Sequence, residues 1–366
     1  MSSVLQKLKA AARQRWEAIP EVKSESHVHA SGAADSASSH IDTVRLLPVA
    51  SGKGGVGKTN MAVGISVSVG LKYARENKRV LLIDGDLGLP NTDLVLGVKS
   101  ERNINDLVDH NVDDLSHLIH KTRYPGLDFI AGAEEASLVL GNLYYQQRKS
   151  IMGQIQRLKS NLVVFDLGAS ASNEILDFFS MTSSGIVILN PEPTSVRDGY
   201  VFIKNAIIRR VRLELEFFPP VKTEFDGIQE QCGGHFQKIR AMIQEKGSEE
   251  LRGAWSGTIE TFKPMIIVNR VETFHEGLES ARKFTKAAEQ HLGIHVRYLG
   301  SVIRDDAVVR SVKAQRPFRI AEPDCPASKC IEEITKRILN DDDFDLTRNF
   351  ATFGRIVTSR LLGRPV

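Results

Sequence analysis

Cysteine is scarce in this chain: Cys232, Cys325 and Cys330 are the only three among 366 residues. Three scattered thiols cannot build a disulfide framework. Cys325 and Cys330 have four residues between them, but no further cysteine or well-placed histidine accompanies them, so a metal-cluster carrier is disfavoured and a structural pair is expected. Long apolar runs are absent as well. No stretch of about twenty apolar residues exists to cross a bilayer, and the start lacks the apolar core of a secretory signal, so a cytoplasmic protein is expected. Neither sign of charge is in surplus: 48 Lys and Arg stand against 45 Asp and Glu, a net charge of +3. Nothing global demands nucleic acid, and DNA is not an expected partner. The length suffices for one large domain with extensions.

The most informative stretch is Ser51 to Asn60, SGKGGVGKTN, directly after the apolar run Leu46–Ala50. It holds a complete phosphate-binding loop: Gly52, four residues, then Gly57, Lys58 and Thr59. A triphosphate needs several backbone N–H groups aimed at one point, and glycine lets the backbone come that close. Gly52, Gly54, Gly55 and Gly57 supply the curvature around Lys53 and Val56, and Asn60 follows. Lys58 is expected to face the β- and γ-phosphates, with the Thr59 hydroxyl on Mg²⁺. A helix follows, its body expected from Met61 to Asn77, and its N-terminal dipole favours the anion.

Two further runs end in carboxylates. Arg79 to Asp86 reads RVLLIDGD, and Asn161 to Ser170 reads NLVVFDLGAS. Carboxylates at the C-terminal ends of parallel strands beside a phosphate loop hold Mg²⁺ waters and orient the attacking water. Asp84 and Asp166 are therefore candidate metal-shell residues, and Asp86 a candidate for positioning water. Each could instead cap a helix or a turn.

The second lysine, Lys53, gives the loop the KGGxGK[ST] pattern, which resembles the deviant loop of the MinD/ParA group of ATPases. The resemblance implies a SIMIBI-type P-loop NTPase with ATP and Mg²⁺, in which two subunits sandwich two nucleotides and Lys53 crosses to the partner's ATP. Lys58-Thr59-Asn60, Asp84 to Leu89 (DGDLGL), Asn91-Thr92-Asp93 and Pro191 to Tyr200 (PEPTSVRDGY) look most like the FlhG branch, also called FleN or YlxH. That branch controls flagellar number and position. The likeness runs from about residue 45 to 210 and resumes from 264 to about 340. It implies that Asn269, in IIVNRV, reads the adenine edge and that Asp166 belongs to the second nucleotide-sensing loop. Gly168-Ala169-Ser170 departs from the family's Pro-Ala-Gly or Gly-Ala-Gly, and Pro48 lies inside the first strand, where it removes a ladder donor.

Apolar runs at Leu46–Ala50, Val80–Ile83, Leu127–Ile130, Leu162–Phe165, Ile186–Leu189, Met265–Val268 and His295–Leu299 alternate with amphipathic stretches. That is an α/β domain, a mainly parallel sheet sandwiched by helices, expected over residues 41–340 with a partly helical insertion at 211–262. Residues 1–19 read as a basic amphipathic helix and 20–40 as a tether. Residues 341–366 form a tail on which Phe350, Phe353, Ile356, Val357 and Leu361 share one helical arc. The resemblance implies an ATP-bound homodimer, a tail that reaches anionic membrane or else docks on the domain or a partner, and an N-terminal helix that docks an FlhF-like GTPase or another protein, contacts membrane, or packs on the parent domain. Peripheral, ATP-dependent membrane association is then expected. Two competing classes of the same fold are a ParA-like DNA-partitioning ATPase and a metal-cluster carrier.

Overall fold

A computed structural model describes residues 44–86, 90–108, 112–132 and 145–340. The N-terminal helix, the tether and the tail expected from the sequence lie outside the described residues.

Eight strands form one sheet: β1 (Arg45–Ala50), β2 (Val80–Gly85), β3 (His120–Lys121), β4 (Leu127–Ile130), β5 (Leu162–Leu167), β6 (Ile186–Leu189), β7 (Met265–Val271) and β8 (Arg297–Ile303). Their order is β3-β4-β2-β5-β1-β6-β7-β8. Every pairing is parallel except β3 with β4 at the edge. Helices cover both faces, which is why the central strands read as continuous apolar runs. Alternate residues serve opposite cores. Leu81, Ile83, Val163 and Phe165 join one apolar cluster, while Val80, Leu82, Leu162 and Val164 join the other.

Pro48 is accommodated by where pairing begins. β1 meets β6 only from Val49 onward, one residue past the proline. The first helix, Lys58–Tyr73, starts at the phosphate loop, three residues earlier than expected, and a 3₁₀ turn at Ala74–Glu76 ends it. Its buried residues run without a break from Met61 to Gly70. Small residues permit this. A Cβ on Gly64 would press within 3.0 Å of the Phe318 ring.

The segment expected to be a partly helical insertion is helical nearly throughout. The helix Pro193–Glu214 runs into it, followed by Pro219–Gln231, Phe236–Lys246 and Glu249–Thr261. Ser248 caps the last by accepting from the Leu251 N–H at 3.2 Å, a contact of the kind that stabilises a helix start by about 1 kcal/mol. Phe225, Ile239, Ile243 and Trp255 are buried in the same cluster as Phe165 and Leu189 of the sheet, so the segment shares the parent core. Among the described residues, no helix is long and apolar enough to cross a membrane.

Candidate nucleotide site

The loop Ser51–Gly57 joins the C-terminal end of β1 to the N-terminus of helix Lys58–Tyr73. Gly55 and Gly57 have φ of +77° and +88°, in the left-handed region that a Cβ disfavours. Gly52 needs its bareness for another reason: a Cβ there would strike the Asp198 carbonyl. The two lysines of the loop differ sharply. Lys53 is exposed. Lys58 is buried, with Nζ 2.7 Å from Asp166 Oδ1 and 3.9 Å from Asp86 Oδ2.

Asp84 on β2 and Asp166 on β5 are register partners in neighbouring parallel strands, so their side chains emerge together. Both are almost wholly buried. Asp84 accepts from the backbone N–H groups of Asp86 at 3.0 Å, Asn91 at 3.2 Å and Thr92 at 3.1 Å. Burial pushes its carboxyl up to about 7, and the charge of Asp166 adds to this, while the bonds from Asp86 and Thr92 oppose it. Asp86 is more open, with a side chain 27% exposed. A Cβ on Gly168 would lie 3.4 Å from Asp86 Oδ1, so the Gly168-Ala169-Ser170 turn presents bare backbone to it. Lys58 meets Asp166 and Asp86, while buried Asp84 lies beside Asp166. That donor set is short of positive charge and fits a divalent cation.

Beyond the loop lies a cavity of about 670 Å³ whose walls include Gly57, Asn60, Pro191, Asn269 and Arg304. It opens at the C-terminal ends of β6, β7 and β8, where parallel α/β sheets bind ligands. Asn269 is buried, and its Nδ2 donates to Val56 O at 2.7 Å. This contact orients the amide, fixing the Oδ1 atom as its acceptor.

The site thus gathers Gly52 to Asn60, Asp84, Asp86, Asp166 and Asn269 at one end of the sheet. Two residues were not foreseen. Thr92 donates its hydroxyl to Asp166 Oδ2 at 3.3 Å while its own N–H binds Asp84; in the sequence it stands out only within the Asn91-Thr92-Asp93 likeness. Arg270 donates to Gly55 O at 2.8 Å. No local sequence signal announces either contact. Cys325 and Cys330 are both buried, and Cys325 Sγ lies 3.2 Å from Ser328 Oγ. No group of three or more His, Cys, Asp and Glu among the described residues is arranged to ligate a metal ion directly, so a cation beside Asp84 and Asp166 would be held partly through water.

The family model of the CobQ/CobB/MinD/ParA nucleotide binding domain matches residues 47–318. The chain belongs to this family. Its relatives include the antiactivator FleN of Pseudomonas aeruginosa, 24% identical over 324 residues, which cover 88% of this chain and 95% of that protein. The flagellum site-determining protein YlxH of Helicobacter pylori is 22% identical over 294 residues, covering 79% of this chain and 80% of that one. Among solved structures, the septum site-determining protein MinD of Pyrococcus horikoshii, complexed with Mg-ADP, has a TM-score of 0.52 at 17% identity. That match covers 81% of this chain and 96% of MinD. The MinD/ParA likeness read from the motifs is thus a family relationship, FleN and YlxH are among the proteins the chain is similar to, and the fold is that of the MinD/ParA P-loop NTPases.

Proposed function

We propose that this chain is an ATP-hydrolysing switch that dimerises around nucleotide and acts as a spatial or numerical regulator, of flagella or a similar polar assembly. The observation that carries the reading is the contrast between the two loop lysines. Lys58 is buried beside Asp166, ready to be drawn to the phosphates of its own subunit. Lys53 stands exposed on the loop rim, where a flexible point charge suits a contact that forms only when a second subunit arrives.

In this reading the N–H groups of Gly52 to Asn60 cradle the phosphates, and Lys58 neutralises the β- and γ-oxygens. Asp86, the most open of the carboxylates, orients the attacking water. Asn269 presents its amide to the adenine edge while holding the loop. Thr59, Asp84 and Asp166 are the residues that would hold Mg²⁺, the aspartates through water; the ion would supply positive charge to the phosphate oxygens. ATP and water yield ADP and phosphate, and the dimer then opens. Domain roles follow the same reading: residues 41–340 form the ATPase, 341–366 reach anionic membrane, and 1–19 dock a protein partner.

Light scattering of the parent and Lys53→Ala, with ADP and with a non-hydrolysable ATP analogue, tests the switch. The parent should double in mass with the ATP analogue alone, and the variant should stay monomeric while still binding nucleotide. An unchanged dimer population in the variant sinks the reading. For the tail, sedimentation with anionic liposomes should require ATP and fail once residues 349–366 are deleted, because two tails per dimer bind with avidity that one lacks.

A further inference from the structure

Two consecutive residues at the end of β7 bind two consecutive carbonyls of the phosphate loop. Asn269 Nδ2 donates to Val56 O at 2.7 Å, and Arg270 Nη1 donates to Gly55 O at 2.8 Å. In a trans peptide unit the C=O and the following N–H point in opposite directions. The oxygen of Gly55 belongs to the unit that carries the Val56 N–H, and the oxygen of Val56 to the unit that carries the Gly57 N–H. Drawing both oxygens towards β7 therefore turns both N–H groups the other way, into the hollow of the loop.

Arg270 reaches the loop from a bulge within β7. Its φ is +57°, in the left-handed region, at the point where the β7–β8 register slips between Asn269 and Val271. A residue with a Cβ resists that conformation, and such strain is kept where it aims a side chain. The space beside Gly54 and Gly55 on the outer rim of the loop is open. A Cβ on Gly54 or Gly55 would meet nothing within 4 Å. Hydrogen bonds hold the rim: the Ser51 hydroxyl donates to Lys53 O at 2.9 Å, and Arg270 donates to Gly55 O.

We propose that Arg270 is a positioning residue for the nucleotide. Paired with Asn269, it presets the direction of the Val56 and Gly57 N–H groups, so that the anion site exists before the phosphates arrive. The inference rests on the loop being a nucleotide site. Arg270 also lines the cavity beside Asn269, but the role argued for it is the orientation of the loop donors, whose effect falls on affinity and not on the chemical step.

Two substitutions in the full-length chain separate this from a merely structural role. Arg270→Gly takes the left-handed backbone freely but has no guanidinium, and Arg270→Lys keeps a donor of similar reach. Titration of a fluorescent ADP should show about tenfold weaker binding for the glycine variant and at most about threefold for the lysine variant. Without nucleotide, the glycine variant should melt no lower than the parent, and in turnover its KM should rise while kcat stays near the parental value. Parental ADP affinity in Arg270→Gly overturns the proposal, as does a nucleotide-free melting point that falls along with affinity. Failure of the parent chain itself to bind ADP would instead refute the nucleotide-site reading.

Discussion

Lys58 Nζ lies 2.7 Å from Asp166 Oδ1, and the two side chains are 6% and 0% exposed. Lys58, proposed to face the phosphates, is thus held by a carboxylate from a strand 108 residues further along the chain. Breaking a buried pair by removing one partner leaves the other charge uncompensated, at a cost of about 3–5 kcal/mol. Lys58→Ala should therefore do two things: abolish ATP binding and lower the urea midpoint of the nucleotide-free chain. The double variant Lys58→Ala, Asp166→Asn should recover most of the midpoint and none of the binding. A Lys58→Ala chain as stable as the parent would show that the pair contributes nothing.

Asp86 is the carboxylate with freedom to act. Its side chain is 27% exposed and its Oδ2 is 3.9 Å from Lys58 Nζ. Asp86→Ala should bind ATP with near-parental affinity, lose at least about a hundredfold in hydrolysis as expected for a lost general base or water-orienting group, and accumulate as the ATP-bound dimer. Phosphate release at the parental rate would move the water-positioning role to another residue.

The Asp84 carboxyl rises from an ordinary 3.8 to about 7 through burial first and the neighbouring Asp166 charge second. Across that window the folded chain keeps a proton that the unfolded chain has released. Stability contributed by this group is thus full below about pH 4, falls as pH rises, and is gone above about pH 7. Asp84→Asn should flatten that slope and gain on the parent at alkaline pH. Urea midpoints of both chains from about pH 5 to 8, in chelator and without nucleotide, give the answer; parallel slopes contradict the assignment.

Two glycines of one loop should respond oppositely to alanine. At Gly52 a Cβ collides with the Asp198 carbonyl, a backbone atom that cannot swing aside, whereas at Gly54 it meets nothing within 4 Å. Gly52→Ala should displace the loop and lower both nucleotide affinity and melting temperature. Gly54→Ala should leave the nucleotide-free melting temperature unchanged to within about 0.5 kcal/mol of stability. Calorimetry on the two nucleotide-free variants distinguishes them, and equal losses would mean that the collision at Gly52 relaxes without cost.

How much of this was legible follows from where the information sits. Strands β4 and β6 coincide with the runs Leu127–Ile130 and Ile186–Leu189, both buried throughout, and the one charge among them, Asp128, is paired with Arg79 and Lys121. β8 runs to Ile303, four residues past the expected end, since Gly300 and Ser301 interrupt the apolar run while the backbone continues. β3 is two residues, His120–Lys121, and carries no apolar signal at all. At the site, the glycines, Lys58, Asp84 and Asp166 are readable because phosphate chemistry dictates type and spacing within one loop or strand. The bonds from Asn269 to Val56 and from Arg270 to Gly55 span 213 and 215 residues. Only the strand order brings those ends together, and no local pattern encodes it. The left-handed backbone of Arg270 is likewise invisible in a residue type that usually avoids it.

The helices between Glu214 and Met265 have a consequence for how the molecule comes apart. Their apolar side chains are continuous with those beneath the sheet: Phe262 faces Phe179 at 6.4 Å between ring centroids, and Phe179 in turn faces Phe202 at 4.9 Å. A region joined in this way cannot melt by itself without flooding the ground under β6 with water. Amide protons in Phe236–Lys246 should then exchange at the slow pace of the central strands, opening only when the whole body opens. A later graft during descent would be expected to leave a seam of early exchange; here the chain would give way as a single unit.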